Sequence, residues 1–102
     1  MRKLLILVLL LHGCGASIGQ ITAHPERYDD QVVTVSGRVT EVIALPFMDK
    51  GMFKLEDGTG SIWVLSSRRV PSRGERLTVR GKVQVGFRVG GKTFGVILVE
   101  SP

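Results

Sequence analysis

From Gln31 onward the chain alternates apolar and polar positions with the two-residue period of half-buried strands. Residues 31–45 carry Val33, Val35 and Val39 toward one face, and Gly37 sits mid-run, where a bulge or sharp coil fits. Residues 52–56 predict a second, short strand. Asp57-Gly58-Thr59-Gly60 is a strong turn, because its glycines accept positive φ and its aspartate can bond its own backbone. Residues 61–66 return as a third strand. Residues 68–76, broken by Pro71 and Gly74, form a loop too short and too interrupted for a stable helix. Over 77–85 the pattern puts Leu77, Val79, Val83 and Val85 on one face and Thr78, Arg80, Lys82 and Gln84 on the other. Gly90-Gly91 turns into a last strand over 93–99, with Phe94, Val96 and Leu98 on one face. Helix fits only ahead of the strands, around 17–23, before His24-Pro25. Five short strands, the first of them long, with little helix, predict a small closed all-β barrel.

The first residues follow a different logic. Arg2 and Lys3 precede an uninterrupted apolar run from Leu4 to Leu11, followed by small residues, which is the pattern of an export signal. As a helix that run rises about 12 Å against a hydrocarbon core of roughly 30 Å, so it does not span. Leu11-His12-Gly13-Cys14 then resembles the lipobox of bacterial lipoproteins, with His12 departing from the usual small or aliphatic residue. The resemblance implies cleavage before Cys14, a diacylglyceryl thioether on its sulfur and acylation of its new amine. At about 0.8 kcal/mol per buried methylene, three chains anchor far more firmly than one. Gly15 stands where some lipoproteins carry an inner-membrane retention aspartate, which implies the outer membrane, facing the periplasm. The alternative is a secreted protein cut after Ala16, with Cys14 discarded. Cys14 is the sole cysteine, so no intramolecular disulfide can form. The organisation expected is a signal over 1–13, a lipidated lead-in over 14–30, the barrel over 31–99 and a tail over 100–102.

Charge changes the picture once the signal is set aside. Two of the fourteen basic residues, Arg2 and Lys3, lie in it, which leaves twelve against nine acids. The excess is concentrated: Arg68, Arg69, Arg73, Arg76, Arg80, Lys82, Arg88 and Lys92 face the single acid Glu75 over 68–92. That half suits a polyanion, a solvated face or the anionic headgroups of a membrane. With 102 residues in all there is room for one domain, and one modest core without disulfides is feasible.

Three segments resemble the OB-fold, in particular the anticodon-binding and replication-protein-A-like branch of nucleic-acid domains. They are Val33-Thr-Val-Ser-Gly-Arg-Val39, Phe53-Lys-Leu-Glu-Asp-Gly-Thr-Gly-Ser-Ile-Trp-Val64 and Gly74-Glu-Arg-Leu-Thr-Val-Arg-Gly-Lys-Val83. The resemblance implies a five-stranded Greek-key barrel that binds across its second and third strands. The chain departs from the family by lacking a helix between the third and fourth strands, so the segment before His24 has to cover the lower core. With Ile62 and Val64 inward, Trp63 points out; with Phe53 and Leu55 inward, Met52, Lys54 and Glu56 point out. Trp63 beside Lys54 makes a stacking platform for a base. Arg38, Arg80 and Lys82, flanked by Arg68 and Arg69, extend a basic track for phosphates. Against this, Trp63 can instead pack under the loop over 45–51 as added core.

Catalysis has little support. Asp29-Asp30 and Glu56-Asp57 are adjacent in sequence, which sends neighbouring side chains apart, and no histidine or thiol cluster completes a metal set. His24-Pro-Glu-Arg-Tyr28 has the His-x-x-x-Tyr spacing of the periplasmic OB-fold haem chaperones of cytochrome c maturation. It precedes the barrel here instead of following it, which leaves a solvated entry turn as the reading. The sequence therefore predicts a monomeric, lipid-anchored envelope module without cofactor or metal, binding single-stranded nucleic acid or another anionic polymer. A different class of function is a non-catalytic adaptor that docks an envelope protein, its basic side on lipid.

Overall fold

The computed structural model of the protein describes residues 16–45, 50–89 and 91–101. The expected signal over 1–13, Cys14 and the tip of the loop between the first two strands lie outside the described residues. Two short helices, α1 (Ile18–Ala23) and α2 (Pro25–Tyr28), lead into five strands: β1 (Val32–Leu45), β2 (Lys50–Glu56), β3 (Ser61–Ser66), β4 (Arg76–Val89) and β5 (Lys92–Glu100). They close into a barrel in the order β1-β2-β3-β5-β4. β1 serves both sides: Val32 to Arg38 pair with β4, and Arg38 to Leu45 pair with β2. A parallel pairing of β3 with β5, from Trp63↔Ile97 to Leu65↔Val99, completes the ring.

The alternation read from the sequence lines this barrel. Val35, Val39, Phe53, Leu55, Ile62, Val64, Val79, Val83 and Leu98 are all buried in one cluster. The bulge in β1, however, falls at Thr40, between Val39 and Glu41, and not at Gly37. Gly37 answers a different need, since it sits where β1 crosses from β4 to β2. A Cβ there would stand 2.5 Å from the Glu56 carbonyl oxygen and 2.9 Å from its carbon. Gly37→Ala is therefore expected to lower stability by about 1–3 kcal/mol, the range for overpacking, read as a lower urea midpoint. An unchanged midpoint would mean that β1 and β2 can part there freely.

The missing helix between β3 and β4 is replaced by the lead-in. Ser17 caps α1 through a reciprocal capping box with Gln20. The helix then drives Ile18 and Ile21 into the barrel, both 0% exposed. Each contributes about 1.5–3 kcal/mol by burial. The Asp57-Thr59 turn holds the helix: Ile18 N–H donates to Asp57 Oδ2 at 2.9 Å and Gly19 N–H to Thr59 Oγ1 at 2.8 Å. α2 is a single turn that the sequence reading treated as a solvated entry; its Tyr28 instead packs partly against the barrel core.

β4 runs past its expected end. Val85, expected inward, is 46% exposed, and the hairpin continues through Phe87↔Phe94 to Val89↔Lys92. Gly86, at φ +70, faces Gly95 in this register, so neither strand carries a Cβ at that pair. Beyond that point the hairpin has turned its face, and Phe94 is corrected from the inner to the outer side. It joins Met52, Leu65 and Ile97 in a second buried cluster, against which Trp63, Phe87 and Val99 pack.

Candidate functional site: an aromatic and basic outer face

The outer surface of the barrel is ordered in rows by strand pairing. Lys54, Trp63, Ile97 and Gln84 stand side by side across β2, β3, β5 and β4, and Met52, Leu65, Val99 and Lys82 form the next row. Met52, expected outward, is on this face but only 1% exposed, as part of the second cluster. Trp63 is half-buried: Ile62 and Val64 on either side of it enter the barrel, while its own ring stays on the outer wall.

Phe94 meets the indole edge-on, with centroids 5.8 Å apart and planes at 69°. This T-shaped contact fixes the ring and leaves part of it open. Each ring carries a cation: Lys54 Nζ is 5.7 Å from the Trp63 centroid and Lys92 Nζ 5.6 Å from that of Phe94. Both fall within the reach of a cation–π attraction. Glu41, brought round by the β1 bulge, pairs with Lys54 at 3.6 Å. Both side chains are substantially exposed, so this pair is weak and exchangeable. The face thus offers a flat apolar surface flanked by two ammonium groups.

The other predicted site residues are dispersed. Lys82 stands at the β4 end of its row and pairs with Asp30 at 3.6 Å. Arg80 is exposed on β4 opposite Thr34 of β1. Arg38 lies two strands from Trp63, paired in register with both Glu56 and Arg76. Arg69 is committed elsewhere: its Nη2 donates to Glu100 Oε2 at 2.6 Å and to the Thr78 carbonyl at 3.1 Å. Arg68 Nη1 approaches the same carboxylate at 3.9 Å. Glu100 is 5% exposed, and Ser66 Oγ donates to its other oxygen at 2.7 Å. The two arginines thus serve a buried carboxylate, and the track expected from the sequence divides into separate clusters. Cys14, the expected lipidation site, lies outside the described residues, as does the loop tip expected as a cover for Trp63.

The sequence pattern does not show Phe94 as the partner of Trp63, nor Lys92 as the cation over Phe94. The one signal for them was the pair Gly86 and Gly95, equally distant from the Gly90-Gly91 turn, which marks where the hairpin coils. Among the described residues no group of three or more His, Cys, Asp or Glu could hold a metal ion.

No family model and no curated relative matches the chain. Solved structures do. An OBody, AM3L09, bound to hen egg-white lysozyme aligns with a TM-score of 0.57 at 19% identity, over 74% of this chain and 81% of that one. A putative aspartyl-tRNA synthetase from Leishmania major Friedlin aligns with a TM-score of 0.54 at 16% identity, over 89% of this chain. The chain spans only 22% of the synthetase's length. Together with the closed five-stranded ring, these likenesses define the class: a small all-β protein of OB-like fold.

Proposed function

We propose that this chain is a lipid-anchored envelope module that binds single-stranded nucleic acid, or another anionic polymer, across Trp63, and does not catalyse. The observation that carries it is the open part of the Trp63 ring, braced by Phe94, with Lys54 over the indole and Lys92 over Phe94. A base stacks on the indole while the two ammonium groups take the neighbouring phosphates. The likeness to a synthetase of the tRNA class supports the nucleic-acid side of the reading. Arg2, Lys3, the apolar run and Cys14 support export and anchoring. Cys14 stands three residues before the α1 cap Ser17, a span of at most about 11 Å, so an acylated Cys14 keeps the barrel close to the bilayer surface.

Trp63→Ala is expected to weaken binding of a labelled single-stranded oligonucleotide by about 10- to 100-fold, the worth of one stacked base. Fluorescence anisotropy at low salt reads it on the full chain. Affinity falls as salt rises, with a slope near −0.7 for each phosphate contacted. Absence of binding at low salt removes the nucleic-acid reading and leaves the same face to an envelope protein. Incorporation of labelled palmitate that Cys14→Ser abolishes tests the anchor separately.

A further inference from the structure

The barrel carries a second recess, distinct from the Trp63 face, at the crossing of β1. It is a groove of about 350 Å³ lined by Ser36, Gly37, Arg38, Glu56, Asp57, Gly58 and Arg76. Gly58, at φ +91, leaves its side open, with nothing within 4 Å of a would-be Cβ, while Gly37 lets β1 lie directly against the Glu56 backbone at the crossing.

Its charges are of both signs, and they differ in how far they are committed. Asp57 is fully occupied: Oδ1 accepts from the Thr59 hydroxyl and the N–H groups of Thr59 and Gly60, and Oδ2 accepts from Ile18 N–H. Arg38 and Arg76 stand opposite each other in register, both exposed. Among the described residues neither is in an ion pair, nor is Glu56, which stands opposite Arg38 on the other side. Two guanidinium forks and one carboxylate are therefore free in one recess. Paired forks match the oxygens of a phosphate, whereas Glu56 repels a bare anion and attracts an ammonium group.

We propose that this groove is a separate binding site for a phosphate ester bearing an amine, of the phosphoethanolamine type. Arg38 and Arg76 hold the phosphate and Glu56 holds the ammonium. The same chemistry occurs in a free ester and in the headgroup of an aminophospholipid. The groove adjoins the Asp57 turn on which α1 docks, so it lies on the side where the chain enters the barrel. The site does not depend on the Trp63 reading.

Titration of the isotope-labelled full chain with phosphoethanolamine, inorganic phosphate and ethanolamine separates the parts. Saturable amide shifts confined to residues 36–38, 56–58 and 76 are expected with phosphoethanolamine. Arg38→Gln with Arg76→Gln weakens it by at least about tenfold, the loss for a charge-assisted hydrogen bond. Glu56→Gln weakens phosphoethanolamine but strengthens inorganic phosphate, while Trp63→Ala leaves both unchanged. Unaltered Trp63 fluorescence in the two groove variants confirms an intact barrel. Equal affinity for phosphate and phosphoethanolamine, or shifts centred on Trp63, overturns the proposal. Flotation of the Cys14→Ser chain with phosphatidylethanolamine vesicles, set against phosphatidylcholine vesicles, assigns the source. Selective flotation lost on Arg38→Gln with Arg76→Gln identifies the lipid headgroup; solution binding without flotation identifies the free ester.

Discussion

Replacing Arg69 with methionine is expected to destabilise the barrel by about 3 kcal/mol, at the low end of the range for stripping a buried ion of its partner. The reason is the position of Glu100, whose side chain is 1% exposed. Without Arg69, its carboxylate keeps only the Ser66 hydroxyl and a distant Arg68, too little to replace lost hydration. Arg69 is itself 37% exposed along its side chain, which is why the low end applies. Glu100→Gln should cost less, since an amide still accepts from Ser66 and the freed guanidinium can turn to water. A double change, Arg69→Met with Glu100→Leu, recovers much of the loss, because no charge then remains buried. Urea unfolding followed by Trp63 fluorescence measures all three. A loss below about 1 kcal/mol for Arg69→Met would place the cluster among ordinary surface ion pairs.

Asp57→Ala is expected to loosen α1 from the barrel and to lower stability by about 2–3 kcal/mol, as a turn and a docking contact fail together. Burial pushes the Asp57 carboxyl up. The Thr59 hydroxyl and the N–H groups of Ile18, Thr59 and Gly60 outweigh that and hold it below the ordinary 3.8. A folded pKa below the unfolded one means that this contribution is complete above about pH 4 and is lost as the pH falls through the folded value. The parent chain should therefore weaken between pH 4 and strongly acid solution by a component that Asp57→Ala lacks. Amide exchange gives the local view: protection over Ile18–Ala23 drops in the variant while that of β1 and β4 persists. Unchanged exchange in α1 would show that Ile18 and Ile21 hold the helix without the turn.

The barrel offers two surfaces of opposite character. The Trp63 face is apolar with cations beside it, suited to a flexible anionic chain. The Arg38–Arg76 groove holds both signs of charge around a small volume, suited to a short zwitterion. Glu56 keeps the two apart, since it stands between Arg38 and Lys54 along the β1–β2 ribbon and interrupts a continuous positive track.

Local pattern alone determined the five strands, their inner faces up to Val83 and from Val96 on, and the Asp57–Gly60 turn. A two-residue period names its buried side whatever the partner strand is, and the glycines and aspartate of a turn act within four residues. It also set the outward side of Trp63, because the valine and isoleucine beside it need the core. Only the tertiary structure decided what stands next to that ring. Phe94 reaches it because the β4–β5 ribbon coils at Gly86 and Gly95, a cumulative twist that reverses the face a plain alternation assigns. Likewise Arg69, Ser66 and Glu100 meet across up to 34 residues, and Arg38, Glu56 and Arg76 across 38. In each case the charges were legible in the sequence and their grouping was not, since it depends on ring closure, which brings distant strands edge to edge.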